Sequence, residues 1–190
     1  YHYINKHMTI LFYKPYQVLS QFTREAAHHQ CLADYLDVPK NVYPIGRLDY
    51  DSEGLLILSD DTSLNAQLLS PDQHVAKIYY VQLEGEITAE AIKQLRDGVS
   101  ITLPNKKKYL TLPSRVKKIG EPNLPERVPP IRVRASIPDS WISIEVKEGK
   151  NRQIRKMCAA VGFPVLRLIR VQLGNYQIHG LLPGKFRVID

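Results

Sequence analysis

A short polar segment, Gly46-Arg47-Leu48-Asp49-Tyr50-Asp51-Ser52-Glu53-Gly54, gathers the residues best suited to chemistry. It places an arginine, three carboxylates and two glycines directly ahead of the apolar run Leu55–Leu58. Polar side chains on a loop that a rigid apolar scaffold holds are a usual place for function. A carboxylate in such a loop can act as a nucleophile or as a ligand of a divalent metal. A lone loop Asp is more often a turn former or a helix cap, so the segment alone leaves its role open.

Signatures of common cofactors are missing from the sequence. It contains neither GxGxxG nor GxxxxGK[ST], which indicates neither dinucleotide nor P-loop binding, and it contains no GxSxG. His28, His29 and Cys31 have a spacing that metal ligands can use, but no second ligand cluster accompanies them. A polar helix start is therefore the favoured interpretation of these three residues. We expect no metal, no nucleotide and no other cofactor.

Charge is divided unevenly between the two halves of the chain. Residues 1–100 hold 8 Lys and Arg against 13 Asp and Glu, whereas residues 101–190 hold 18 against 6. A basic half beside an acidic half indicates a polyanionic partner that is met mainly by the C-terminal residues. A solvated basic surface would have the same composition, so charge supports nucleic-acid binding without establishing it.

Composition describes the whole chain as a globular protein, with 44% hydrophobic and 24% charged residues among 190. No run approaches the roughly 18 apolar residues of a membrane span, so we expect no membrane partner. Cys31 and Cys158 are isolated, which suits a reducing cytoplasm better than a disulfide framework. We expect residues 1–8 to form an N-terminal leader and residues 9–190 a single catalytic domain.

Periodicity and turn signals predict an α+β fold with a largely antiparallel sheet. Helices are expected at Leu32–Leu36, at Thr88–Arg96, and from an Asn151 cap to Val161. Another is expected behind an Asp61 or Thr62 cap, running through Leu64, Leu68 and Leu69 and stopping before Pro71. Strands are expected at Ile10–Tyr13, Leu55–Leu58, Lys77–Glu84, Trp141–Val146 and Val165–Leu173. The stretch 104–138 holds seven of the thirteen prolines and no clear period, which predicts an ordered insertion or loop-rich arm.

Three ordered motifs resemble those of the RsuA-type pseudouridine synthases. Gly46-Arg47-Leu48-Asp49, followed by residues 52–61, is similar to the family's GRLD and GLLLLTND. Lys77-Ile78-Tyr79-Tyr80-Val81 resembles its K-x-Y-x-V strand, and residues 148–157 resemble its EGRNRQIRRM helix. Ser52 stands where many relatives carry Thr, and Lys150 and Lys156 replace Arg. The resemblance covers roughly residues 9–185 and implies isomerisation of a uridine in structured RNA.

The resemblance also implies a fold and a branch. It implies the pseudouridine synthase catalytic fold, a mostly antiparallel sheet in two lobes with flanking helices. Many relatives carry an N-terminal S4-type RNA-binding module, but few residues precede the strand at Phe12-Tyr13-Lys14-Pro15, so we expect none. Residues 129–141 resemble the RluE branch, which lacks that module and acts on large-subunit ribosomal RNA. We expect a monomer whose partner is ribosomal RNA.

Site roles follow from the same resemblance. Asp49 is the implied catalytic carboxylate, and Arg155 is the implied cation that holds it ionised and oriented. Tyr79 matches the tyrosine that stacks on the target base, while Tyr80 should face the opposite side of its strand. Residues expected to contact the RNA backbone or the space left by the extruded base are Arg47, Lys106, Lys107, Lys108, Arg115, Lys117, Lys118, Arg132, Arg134 and Arg152.

Two alternatives from other classes stay open at this point. One is a metal-dependent nuclease whose carboxylates bind divalent ions; its candidate ligands are Asp49, Asp51, Glu53, Asp60 and Asp61. The other is a ribosome-assembly factor that keeps the fold only to bind RNA. The combined presence of Asp49, Tyr79 and Arg155 argues against this second alternative.

Overall fold

A computed structural model describes residues 6–132 and 134–189 of the chain. The helices are α1 (Thr62–Leu69), α2 (Ala89–Asp97) and α3 (Gln153–Ala160), with 3-10 turns at Leu32–Asp34 and Pro71–Gln73. The strands are β1 (Thr9–Lys14), β2 (Val18–Leu19), β3 (Gln30–Cys31), β4 (Tyr43–Ile45), β5 (Glu53–Ser59), β6 (Lys77–Glu84), β7 (Ser100–Thr102), β8 (Lys108–Leu110), β9 (Arg115–Ile119), β10 (Asp139–Val146), β11 (Val165–Leu173), β12 (Tyr176–Gln177) and β13 (Phe186–Ile189).

One nine-stranded sheet organises the molecule, in the order β13-β1-β5-β11-β6-β10-β9, with β4 added to β5 and β12 to β11. Every pairing in it is antiparallel except β5 with β11. The strands β7 and β8 form a separate hairpin. The predicted α+β class with a largely antiparallel sheet is therefore confirmed. None of the helices in the described part of the chain is both long and apolar enough to cross a bilayer.

The strand β5 is buried along its whole length because both of its faces are covered. Leu55 and Ile57 pack on one face against α1, and Leu56 and Leu58 pack on the other with the 3-10 turn at residue 32. Fully burying one such side chain contributes about 1.5–3 kcal/mol. This central strand is thus a rigid base for the polar segment that precedes it.

Most predicted elements are confirmed, and one expected helix cap is wrong. The residue that caps α3 is Arg152 in the left-handed region, not Asn151. Of the two alternatives for the stretch 104–138, the structure agrees with an ordered insertion, because the stretch contributes β8 and β9, and β9 pairs with β10 in the main sheet. Lys117 and Lys118 lie on β9, which is an edge strand of the main sheet.

The boundary between leader and catalytic domain stays a prediction, and residues 1–5 lie outside the described residues. Within the described part, Met8 N donates to a carboxylate oxygen of Asp60 at 2.9 Å, and Ser59 Oγ donates to Met8 O at 2.9 Å. A ring nitrogen of His7 lies 3.1 Å from the same Asp60 oxygen. These contacts attach residues 7 and 8 to the end of β5.

Candidate active site

The polar segment before β5 is fixed in place at both of its glycine ends. Gly46 has a φ of 65° and Gly54 a φ of 108°, both in the region that favours glycine. A Cβ on Gly54 would lie 2.2 Å from the carbonyl oxygen of Arg170, so only glycine lets β5 approach β11 here. Between them, Leu48 is buried and exchanges hydrogen bonds with the Ser20 hydroxyl through its N–H and carbonyl. Asp49 follows this anchor directly.

Asp49 faces a cavity of about 570 Å³. Four residues with expected roles line it, namely Arg47, Asp49, Tyr79 and Arg152. The side chain of Asp49 remains 43% exposed, so one carboxylate in this cavity is accessible to a ligand. The structure therefore brings together side chains from the segment before β5, from β6 and from the start of α3, although these lie far apart in sequence.

Arg152 forms the closest ion pairs with the two aspartates of the segment. Its guanidinium donates two hydrogen bonds to the carboxylate of Asp51, at 2.9 and 2.8 Å. It lies 3.4 Å from one oxygen of Asp49. The hydrogen bond from Arg152, aided by the charges of Arg155 and Arg152, holds the pKa of Asp51 below its ordinary value. Both aspartates therefore face a fixed positive charge.

Arg155 lies deeper, beneath the segment instead of beside Asp49. Its guanidinium donates to the carbonyl oxygen of Asp51 at 2.8 Å and to Ser52 Oγ at 3.3 Å, with only 16% of the side chain exposed. Burial lowers the pKa of Arg155, and its nearest carboxylate oxygen belongs to Asp51, at 3.6 Å.

The expected direct pair between Arg155 and Asp49 is wrong for this conformation. Among the described residues, the arginine within ion-pair distance of Asp49 is Arg152. Arg152 has a left-handed backbone, with a φ of 51°, and its side chain lines the cavity. Arg155, in the first turn of α3, instead reaches the backbone under the segment.

Tyr79 occupies the position that the alternation of β6 predicts. It lines the cavity and packs with the core cluster that contains Ile154 and Leu168. Tyr80 packs on the other face of the sheet, with the cluster that contains Leu55 and Ile57. The two-residue period of a strand therefore distinguished the tyrosine at the cavity from its neighbour.

Three positions beside the site make contacts that the sequence did not predict. Asp51 receives the bidentate pair from Arg152, as described above. Arg170 is 2% exposed, lines the cavity, and donates to the carbonyls of Gly46 at 2.5 Å and Leu55 at 3.0 Å. The sequence did contain a signal for Arg170, because arginines interrupt the apolar run 165–173. A charged residue inside a buried strand needs a specific partner.

Lys14 is the third such position and is buried under the same segment. Its ammonium donates to the carbonyls of Pro15 and Val18, both at 2.8 Å, and lies 3.5 Å from the carbonyl of Tyr50. Burial lowers its pKa to about 7, against the nearby carboxylates, which raise it. The backbone of Tyr50, the residue that follows Asp49, thus lies close to a buried cation.

Arg167 has a structural role, because its charged group pairs with a buried carboxylate. It forms two hydrogen bonds of 2.9 Å with the carboxylate of Glu53, and the side chains are 7% and 4% exposed. Arg170 is equally inaccessible. Both side chains point inward because β11 is a central strand that is covered on both faces.

The remaining predicted RNA-binding residues lie outside the cavity. Lys106, Lys107 and Lys108 are exposed at the end of the β7–β8 hairpin, where Lys108 Nζ donates to Thr102 Oγ1 at 2.7 Å. Arg132 and Arg134 are exposed and line a separate pocket of about 170 Å³. None of these five cations lines the cavity that Asp49 faces.

Carboxylates proposed as metal ligands have other partners. Glu53 pairs with Arg167, Asp60 accepts from the N–H of Met8, and Asp61 caps α1 by accepting from Ser63 N at 3.0 Å. Across residues 6–132 and 134–189, no group of three or more His, Cys, Asp and Glu side chains is arranged to hold a metal ion. Of the five candidate ligands, Asp49 is the one that lines the cavity.

Comparison with known proteins shows which family the chain resembles. The family model described as RNA pseudouridylate synthase matches residues 8–160. A Vibrio vulnificus protein named ribosomal large subunit pseudouridine synthase E is 46% identical over 181 residues, which is 95% of this chain and 74% of that protein. A protein of the same name from Xanthomonas campestris is 43% identical over 185 residues, which is 96% of this chain and 96% of that protein.

The fold is similar to a solved structure as well. A crystal structure of a pseudouridylate synthase superposes with a TM-score of 0.76 over 99% of this chain and 72% of the other, at 23% sequence identity. At that identity, the similarity concerns the fold.

Proposed function

Because this chain belongs to the RNA pseudouridylate synthase family, we propose that it isomerises one uridine of large-subunit ribosomal RNA to pseudouridine, with Asp49 as the catalytic carboxylate. The observation that carries the assignment of Asp49 is its position. It is an exposed carboxylate of a cavity that Tyr79 and Arg152 also line. The proteins at 43–46% identity are named for the large ribosomal subunit, which supports this RNA as the substrate.

The reaction breaks the bond between the ribose C1′ and N1 of uracil, rotates the base, and joins C1′ to C5. The proton on C5 then leaves to an acceptor, and N1 ends protonated, so no atom is gained or lost. The chemistry requires an ionised carboxylate beside the sugar and a cavity that retains the cut base. No electron acceptor or phosphate donor enters this balance.

Asp49 is prepared for that role by its neighbours. Arg152 donates its two short hydrogen bonds to Asp51, and its guanidinium lies 3.4 Å from Asp49 Oδ2. In the described part of the chain, Asp49 Oδ1 makes no protein hydrogen bond, which leaves it available to a substrate atom. The guanidinium of Arg152 places a positive charge beside the carboxylate that attack or bond cleavage needs.

Tyr79 is proposed to stack on the target base inside the cavity. A uridine in structured RNA must leave its stack to reach Asp49, at a cost of a few kcal/mol that contacts in the cavity offset. Arg47, exposed next to Asp49, is suited to fill the space left or to hold the neighbouring phosphate. Arg155 is proposed to fix the backbone on which Asp49 stands.

The exposed cations outside the cavity are proposed to hold the RNA backbone. Those of the hairpin are Lys106, Lys107 and Lys108, and those of the smaller pocket are Arg132 and Arg134. Phosphate contacts of this kind position an RNA without reading its sequence. The choice of uridine is therefore proposed to depend on the cavity and on the shape of the RNA around it.

We further propose that the protein acts as a cytoplasmic monomer. Support for the compartment comes from Cys31 and Cys158, which are buried free thiols. Burial raises the pKa of Cys158 to about 12, so it stays a protonated packing group. Light scattering of the purified protein tests the monomer, and fractionation of cells that express it tests the compartment.

The test of the proposed function is pseudouridine mapping on large-subunit ribosomal RNA incubated with the purified protein. We expect modification at one uridine by the native protein and by Asp37→Asn, a control at an exposed loop aspartate. The Asp49→Asn variant should form no pseudouridine, because the amide keeps the size of the side chain but loses its charge. Its RNA affinity should stay near that of the native protein. Turnover by pure Asp49→Asn would contradict the assignment.

A further inference from the structure

The carboxylate of Glu148 joins three separate parts of the cavity wall. One oxygen accepts a short hydrogen bond from the Tyr109 hydroxyl of β8, which raises the pKa of that tyrosine to about 12. The other oxygen accepts from Leu112 N and from Gln153 Nε2, both at 2.8 Å. Because Leu112 follows β8 and Gln153 begins α3, one carboxylate connects the hairpin to the helix that carries the active-site arginines.

Gln153 continues this connection into the turn before α3. Its side chain is buried, and its Oε1 accepts a hydrogen bond from Lys150 N at 3.1 Å. Its own N–H donates to the carbonyl of Lys150, also at 3.1 Å. Gln153 therefore closes the turn 148–152 through its hydrogen bonds with Lys150. Glu148 connects the same turn to Tyr109 and Leu112.

Arg152 is the last residue of that turn and depends on it. Its left-handed backbone, with φ 51° and ψ 35°, is unfavourable for a residue with a Cβ, so surrounding contacts must maintain it. From this backbone the guanidinium reaches both Asp51 and Asp49. Relaxation of the turn to an ordinary helical conformation would redirect the side chain away from the two aspartates.

The same hairpin presents the exposed lysines 106–108 immediately before Tyr109. The Tyr109 ring also faces the Lys150 ammonium, 4.9 Å from the ring centroid, and both residues line the cavity. RNA bound to the end of the hairpin would therefore act on an element that is hydrogen-bonded to the turn of Arg152.

We propose that Tyr109 and Glu148 are positioning residues that lock the turn of Arg152 and transmit the hold of the β7–β8 hairpin on RNA to the catalytic carboxylate. The transmission rests on the proposed function, whereas the locking of the turn does not. Neither residue needs to touch the reacting atoms. The Tyr109 hydroxyl acts through Glu148, and this order makes the proposal testable.

The test compares Tyr109→Phe, Glu148→Ala and their double variant with Tyr176→Phe, a matched control on β12. Loss of a hydrogen bond to a charged group should slow single-turnover pseudouridine formation about tenfold at saturating RNA. RNA affinity should change by less than about twofold, because no phosphate contact is removed. The double variant should be no slower than Glu148→Ala, and Tyr176→Phe should behave as the native protein. Multiplying effects, or native turnover in Tyr109→Phe, would overturn the proposal.

Amide hydrogen exchange supplies a readout that needs no activity. Exchange in the peptide 147–157 should be faster in Tyr109→Phe than in the native protein and unchanged in Tyr176→Phe, because the turn is less well held. Unchanged exchange in Tyr109→Phe would overturn the locking, and faster exchange with native turnover would overturn the transmission. A native protein that modifies no large-subunit RNA would contradict the proposed function, while exchange would still decide the locking. If Glu148→Ala does not fold, Tyr109→Phe alone decides both.

Discussion

Replacing Arg152 and Arg155 separately with alanine should divide catalysis from stability at this site. The two arginines sit three residues apart and face the same segment, but their surroundings differ. Arg152 is 40% exposed and bonds to carboxylates that are themselves partly exposed, at 34% for Asp51 and 43% for Asp49. Arg155 is 16% exposed and bonds to the segment's backbone and to Ser52.

These surroundings set the expected magnitudes. Exposed ion pairs contribute about 0–1 kcal/mol, so Arg152→Ala should lower the melting temperature by no more than about 4 °C. Arg155→Ala removes two charge-assisted hydrogen bonds from a largely buried place, at a cost of about 3 kcal/mol in total. For a domain of this size, that loss corresponds to a fall of about 6–12 °C in melting temperature.

Turnover should fall in both variants. Loss of a positive charge beside a catalytic carboxylate should slow pseudouridine formation by Arg152→Ala about a hundredfold. Arg155→Ala should be slowed at least as much, since the backbone under Asp49 loses its support. Arg24→Ala, which breaks the exposed pair with Asp34, is the matched control and should keep native turnover.

Calorimetry and single-turnover assays on the same preparations measure these effects. Equal destabilisation by Arg152→Ala and Arg155→Ala would refute the different burial on which the argument depends. Full turnover by Arg152→Ala would refute a role for its contact with Asp49.

Three further predictions concern the RNA grip, the buried pair and the buried lysine. Replacing Lys106, Lys107 and Lys108 with Gln should reduce the slope of log affinity against log salt concentration for RNA binding by about two to three units. The modified uridine should stay the same, and Asp49→Asn should leave the slope unchanged. Affinity titrations at several salt concentrations measure this slope. Arg167→Ala should cost about 3–5 kcal/mol in urea unfolding, because it leaves Glu53 buried without its partner, and a cost near zero would contradict that burial. Because burial depresses the Lys14 pKa to about 7, the folded state binds fewer protons than the unfolded state above that pH, so stability should rise from about pH 7 towards about 10.4. Lys14→Met should lack this rise, which unfolding curves across that pH range measure.

Local sequence patterns were sufficient to predict most of the helices and strands. The alternation in 77–84 placed Tyr79 and Tyr80 on opposite faces, as the core clusters show. The Asp61 and Thr88 caps are present, with the side chain of each accepting a backbone N–H of its helix. Such signals act over a few residues, so they do not depend on the rest of the fold. The ordered motifs likewise identified the family.

Only the tertiary structure decided which arginine meets which aspartate. Arg152 and Arg155 are about a hundred residues from Asp49 and Asp51, and their spacing of three residues by itself allows both to face the segment. The choice between them depends on the left-handed backbone at Arg152, which contacts of Glu148 with a distant hairpin help to maintain. The inward direction of Arg167 and Arg170 was also beyond the sequence, because it follows from the central position of β11 in the sheet. Long-range packing determines these outcomes, and no local pattern encodes them.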